Sequence, residues 1–512
     1  MKIVVGALLL VVSTALAAQP AALREVGEVT FANSGARAAQ PEFLRGLAQL
    51  HNFEYEDAAA HFRDAEKIDP GFAMAYWGEA MTKNHGIWHE QDLAAAREAL
   101  ARLGATPAAR LARTPTERER EYLGSIEILY GDGSKEDRDQ KYAAAMARLY
   151  QHYPQDVDAA AFYALAILSS AEQGRDFAIY MRAAAVLEEV FPLHPRHPGV
   201  VHYLIHSYDD PVHAPLGLRP ARIYAQIAPD AGHAQHMTSH IFLALGMWED
   251  TVKANETAIA VVNHHRELAG RPPGFCGHYN EWLQYGYLQL GRVSDARQIL
   301  DGCRQQAERQ TAELAARANR GAGDTSAIQS YAEMRAHFLI NSELWQDEVA
   351  HWTLPSGEFP MARLAFDYAD ALCAYKTSQF SHAREAFVRA EADAKTTLAW
   401  LDQNQEDEPQ KRGDVAVLIE QLRALLPAAS PDPRASIAAL ESVAAKERSL
   451  PLEFGPPPVY KPTEEVLGEL YLQIHEPKEA RKAFEADLAR APGRRLGTRG
   501  VKRADSSTIE GE

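Results

Sequence analysis

Small and large residues recur along this chain on a fixed grid, and that grid limits the folds open to it. Near the C-terminus Leu467-Gly468-x2-Tyr471 leads to Ala480-x3-Phe484 and then Pro492. Near the N-terminus Gly46, Tyr55, Ala58-x3-Phe62, Ala65 and Pro70 take the same places, and Phe380, Ala383-x3-Phe387 and Ala390 make a third copy. Degenerate copies of the turn Phe53-Glu54-Tyr55-Glu56-Asp57-Ala58 follow at Gly246-Met247-Trp248-Glu249-Asp250 and at Gly291-Arg292-Val293-Ser294-Asp295-Ala296. Small residues let two antiparallel helices approach closely, and large ones fill the gap to the next pair. No such pair buries its apolar face alone, so the pairs must stack. A chain of 512 residues then grows in one dimension instead of dividing into several compact domains. Abundant Ala, Leu, Glu and Arg suit helices throughout.

These spacings resemble the tetratricopeptide repeat (TPR). The fold expected is therefore all-α: an interrupted TPR-type helical solenoid, a right-handed superhelix of antiparallel helix pairs with a concave side. Matches are poor near 100–190 and 310–350, and Gly270-Arg271-Pro272-Pro273-Gly274 and Gly455-Pro456-Pro457-Pro458 read as hinges. The organisation expected is a signal peptide at 1–17, an extension at 18–39 and N-terminal repeats at 40–190. Central histidine-rich repeats at 191–310, C-terminal repeats at 311–454 and a last repeat at 455–492 follow. A tail at 493–512, with Arg494, Arg495, Arg499, Lys502 and Arg503, is expected to be disordered.

Lys2, the apolar run Ile3–Val12 and Ala15-Leu16-Ala17 have the layout of a cleaved signal peptide, cut after Ala17. The run is too short to span a bilayer. A periplasmic or secreted location follows as an expectation. The formal charge of −17 lacks the basic face that nucleic-acid binding needs. Three cysteines, Cys276, Cys303 and Cys373, cannot all pair within the chain, and disulfides are not expected to carry the fold.

Eleven of the twenty histidines lie between His194 and His278. His202 and His206 are i, i+4 on a first helix; His236 and His240 repeat that spacing 34 residues later, one repeat on. His233 extends the second set along the same helical face. In the next repeat His278 stands at the position of His233, Glu281 at that of His236 and Tyr285 at that of His240. The outer repeats carry Gln40, Phe43 and Leu47, or Ala365, Tyr368 and Leu372, at these places. The fold itself therefore does not call for imidazole there. Stacked first helices lie roughly 10 Å apart, so two i, i+4 pairs can converge on one ion at about 2.0–2.1 Å.

Neutral imidazoles suit zinc, copper, nickel or iron. The candidate metal ligands are His202, His206, His233, His236, His240 and His278. Asp209, Asp210 and Glu281 are candidate carboxylate partners, and Cys276 is a soft alternative. His194, His197, His213, His264 and His265 read mostly as solvated, with His197 the exception. Lys83-Asn84-His85-Gly86-Ile87-Trp88-His89-Glu90-Gln91-Asp92 forms a second constellation. There His85 is expected on the first helix of the second repeat, facing the same groove. His85 and Tyr285 are the candidate contacts for a bound ligand or cofactor.

The stretch His233-Ala-Gln-His-Met-Thr-Ser-His-Ile-Phe-Leu-Ala-Leu-Gly246, running into Trp248-Glu-Asp and Ala254-Asn255-Glu256, resembles bacterial exported TPR proteins with a His-Met-x-x-His-Ile motif. Asn84-His85-x2-Trp88-x-Glu90-Gln91-Asp92 is similar to the same set. That set is distantly similar to the tetratricopeptide repeat protein 38 group. The resemblance covers about Gln40 to Gln310 and implies fold and export, with no chemistry attached.

Three functions fit these residues. The first is a groove that binds a transition metal, or a small molecule, peptide or protein through it. The second is a metal-dependent hydrolase or oxidoreductase on the same ion, with Glu281 as general base. The third is a metal-free scaffold for a peptide or protein. No phosphate loop, Gly-x-Ser-x-Gly or His-Glu-x-x-His is present.

Overall fold

The computed structural model describes residues 25–171, 175–316, 326–403, 409–426, 432–452 and 454–509. The expected signal peptide and the first part of the 18–39 extension lie outside the described residues. Helix follows helix along the chain, each packed on its neighbours in sequence. Among the described residues the only strands are Asn84–His85 and Glu90–Gln91, an antiparallel two-residue pair. None of the described helices is long and apolar enough to cross a membrane. The architecture is an all-α solenoid of the TPR type.

The grid works as its spacing predicts. Helix Gln40–His51 packs on Tyr55–Ile68, and the Phe62 ring of the second helix lies between Gly46 of its own pair and Gly78 of the next. A β-carbon at Gly46 would press on that ring at 3.1 Å, and one at Gly78 would overlap it. The same device closes the other end, where Phe484 sits between Gly468 and Gly500. Each wedge replaces water-exposed ring surface with close contact on both sides. Interruptions fall inside the array. The short strand pair sits within the second helix pair, and a 3-10 turn, Glu348–His351, follows Ala327–Ser342 in place of a full second helix.

The C-terminal tail is a correction. Residues expected to be disordered form the helix Arg495–Ile509, and Arg494 is wholly buried. Gly500 follows Gly468 at the interval that separates Gly78 from Gly46. The tail is thus the first helix of a further repeat, laid down as a cap. Its basic residues are used internally. Arg494 grips Glu465 at 2.7 Å and the Tyr285 hydroxyl at 2.7 Å, the Arg495 amide donates to Gln289, and Arg499 pairs with Glu343.

These contacts fold the last repeat back onto the central ones. The Trp248 indole donates to the Gly493 carbonyl at 2.8 Å, across 245 residues of sequence. Residues 454–461 run along the first helices: Phe454 meets His240, Gly455 presses on Trp282, and Tyr460 meets His337 and Tyr368. The concave face of the central repeats is therefore covered by the chain's own segment. Removing a wedge ring should cost about 3–5 kcal/mol, as for other buried Phe→Ala changes. We expect Phe62→Ala or Phe484→Ala to lose that much in urea unfolding, and Phe387→Ala, whose ring is only partly buried, to lose clearly less.

Candidate metal centre

Three successive first helices carry the histidines. Pro198–Tyr208 holds His202 and His206, Gly232–Ala244 holds His233, His236 and His240, and His278 opens His278–Gln289. All six come together, but as two trios. One nitrogen each of His202, His206 and His233 lies within 4.8 Å of the others, and the same holds for His236, His240 and His278. The trios share a wall, with ring centroids 5.9 Å apart for His206 and His240 and 6.2 Å for His233 and His236. His202, His206, His236 and His240 are fully buried, and His278 reaches solvent.

Hydrogen bonds at the outer nitrogens set the tautomers. His202 Nδ1 lies 2.6 Å from the His51 carbonyl, which can only accept. His240 Nδ1 lies 2.5 Å from the Asp209 carboxylate. His236 Nδ1 lies 2.6 Å from Asn255 Oδ1, and the Asn255 amide is fixed the right way round because its Nδ2 donates to Thr251 O at 2.9 Å. Each of these Nδ1 atoms therefore carries a proton, and in the neutral ring the Nε2 is left bare. The bare Nε2 atoms of His236 and His240 face each other at 3.0 Å. This is how proteins orient metal-binding imidazoles.

Burial, followed by the neighbouring histidines, holds His202, His206, His233 and His236 well below the ordinary imidazole pKa. Burial and His240 lower His278 to about 3. At neutral pH these five rings are neutral, the form that binds metal. A depression of about 180 Å³, lined by Asn263, Arg266, Cys276, His278, Tyr279 and Gln306, opens onto His278.

Other expected residues stand elsewhere. Asp210 pairs with Arg175 at 3.0 Å and His213 at 2.9 Å, leaving Asp209 as the one of these two carboxylates that meets the six histidines. Glu281 belongs to the next repeat: Ser330 hydrogen-bonds its carboxyl, burial raises its pKa, and Glu333 and Tyr460 are its electrostatic neighbours. Tyr285, 1% exposed, is held by Arg494 and not open to a cofactor. His85 is not on a helix. It lies in the strand pair, stacked on Tyr55 at 4.1 Å and paired with Glu90 at 3.4 Å.

Cys276 is no thiolate ligand, because it forms a disulfide with Cys303, their Cα atoms 4.8 Å apart. An odd count leaves Cys373 over but does not prevent one bridge, and the loop before His278 runs along Val293–Ala316, where Cys303 waits. His197 is buried 3.4 Å from Asp158, which also accepts from His51 at 2.8 Å. The tethers Asn255 and His51 O were not singled out in the sequence. A buried Asn in mid-helix was the one available signal, and a backbone carbonyl gives none.

No protein-family model matches the chain, and no curated protein matches it. Among solved structures it is similar to the Cut9-Hcn1 hetero-tetramer of the APC/C (11% identity, TM-score 0.35, 93% of this chain and 78% of that one). It is also similar to yeast Tom70 (12%, TM-score 0.34, 93% and 96%) and to the human IFIT1 dimer with m7Gppp-AAAA (13%, TM-score 0.33, 90% and 91%). Similarity at this level says nothing of ligand or activity.

Buried neutral imidazoles make the metal-free protein acid-sensitive. Below pH 6.5 the unfolded chain takes up protons that the folded one refuses, so stability falls with pH at up to about 1.4 kcal/mol per unit for each such ring. His337, lowered to about 3 by burial and Arg494, lies outside the trios. Melting temperature should drop from pH 7 to pH 5, and His337→Phe should shrink that drop without abolishing it.

Proposed function

We propose that this is an exported, metal-binding TPR solenoid in which His236, His240 and His278 hold one transition-metal ion. The observation that carries this is the pair of bare Nε2 atoms, 3.0 Å apart, whose Nδ1 protons are committed to Asn255 and Asp209. Two lone pairs aimed at each other repel, and a cation between them removes the conflict. Two nitrogens bound to a tetrahedral ion at 2.0–2.1 Å stand about 3.3 Å apart, close to the spacing here. His278 lies beside both rings, 4.6 Å and 6.1 Å between centroids, and on the open side, where an ion arrives.

The class of ion follows from the donors. Three imidazoles with no thiolate suit zinc, copper, nickel or iron, and the Asp209 carboxylate behind His240 raises ligand basicity and offsets charge. Export is supported by the signal-peptide layout of residues 1–17 and by the Cys276–Cys303 bridge, since disulfides persist in oxidising compartments. Binding is preferred to catalysis because Glu281, the candidate base, is engaged with Ser330 in the next repeat.

A proton would also bridge the imidazole pair, and metal analysis separates the two. Untagged protein lacking residues 1–17 should carry at least one equivalent of zinc, copper or iron, and a folded His236→Ala/His240→Ala variant should carry at least one equivalent less. Added Zn²⁺ at 100 Kd should stabilise metal-free protein by about 2.7 kcal/mol for each ion bound. Protein that carries no metal and gains no melting temperature with Zn²⁺, Cu²⁺ or Co²⁺ would overturn the proposal.

A further inference from the structure

We infer that the adjoining trio, His202, His206 and His233, holds a second ion of the same class, making a six-imidazole, two-ion centre. This second ion rests on the reading above only for its chemical class, because separate observations place it. His202 Nε2 is bare, its Nδ1 proton committed to the His51 carbonyl, and it lies 3.2 Å from His233 Nε2. That separation again matches two ligands of one tetrahedral ion. His206, one turn further along the helix, is 3% exposed, and its Nε2 has no hydrogen-bond partner. A buried ring nitrogen without a partner is costly, and a metal bond satisfies it.

Packing alone does not ask for these rings. The first repeat places Phe43 and Leu47, both fully buried, where this repeat places His202 and His206. The support behind His202 is also unusually stiff. His51, whose carbonyl orients it, is clamped by Asp158 at 2.8 Å and the Tyr203 hydroxyl at 3.1 Å. His51, Asp158 and His197 themselves lie close enough to share an ion. In that group His51 Nε2 is bonded directly to Asp158, which fixes the residue whose carbonyl orients His202.

A second, independent feature marks the trio. The turn between paired helices needs a left-handed residue, supplied by Gly246 (φ +68°) and Gly291 (φ +72°) in the central repeats. In the first repeat the same position is Phe53, at φ +58°. Ser378 and His475 take this conformation at the matching turns of later repeats, and the first repeat is the one that sets a large apolar ring there. The turn fixes the place of that ring. It lies 4.4 Å from His202, 5.7 Å from His206 and 5.6 Å from His233 by centroids, over all three at once. Trp88 of the strand pair adds a second wall at 6.3 Å from His233. An aromatic roof excludes water from the ion and holds the imidazoles in line.

Each trio gathers one nitrogen from each of its own three rings within 4.8 Å. The stoichiometry expected is therefore two, and each trio can be emptied by a substitution of its own. The test is zinc content of metal-stripped, untagged protein after reconstitution with Zn²⁺ and removal of excess. Wild type should hold two equivalents, and His206→Gln and His278→Gln one each. The zinc kept by each variant also shows that it is folded. One equivalent in wild type, still one in His206→Gln and none in His278→Gln, would overturn the second ion and leave the first. No zinc in wild type would overturn both. Co²⁺ in place of Zn²⁺ should give visible absorption in His206→Gln at half the wild-type intensity, and unchanged intensity would count against the second ion.

Discussion

Repeats in this protein are joined through close approach of two helices, and the approach is tightest where a ring meets glycine. Phe62 between Gly46 and Gly78, and Phe484 between Gly468 and Gly500, are that contact at the two ends. The contact fixes more than stability. It sets the rise and rotation from one first helix to the next, so residues one repeat apart in sequence become neighbours on the inner face. Histidines 34 residues apart meet for this reason, and no local motif would bring them together.

Much of the inner face is then closed to water, with His278 at its open edge. Residues 454–461 lie along the first helices, Phe454 covers His240, and the capping helix docks through Arg494 and Trp248. Imidazoles in such surroundings stay neutral because water no longer stabilises their charged form. A neutral ring with its Nδ1 proton held by a fixed acceptor has one use left for its Nε2. The Asp209 carboxylate comes from the end of one first helix and His240 from the next first helix, so this tether also joins repeats.

Much of this was legible in the sequence, and the failures have physical causes. The grid was readable wherever a Gly and a ring marked it. Helices Glu117–Leu129 and Lys135–His152 continue the array without that mark, since Gly124 has no ring against it and only Leu111 nearby at 4.0 Å. The tail was misread because its charges resemble those of a disordered segment, although Gly500 kept the repeat interval. The six histidines were legible from i, i+4 spacing and the 34-residue offset. Their division into two trios was not, because it depends on the angle at which first helices cross. His85 left its expected helix for the strand pair, and Tyr285 turned to Arg494, a residue 209 positions away. Cys276 found Cys303 through a loop whose course the sequence does not state.

The central claim is that imidazole nitrogens alone hold the metal. X-ray absorption at the zinc edge of the reconstituted protein tests it most directly. The structure predicts nitrogen ligands at about 2.0–2.1 Å with the outer scattering of imidazole rings and no sulfur. A sulfur shell near about 2.3 Å, or oxygen ligands without imidazole scattering, would contradict it.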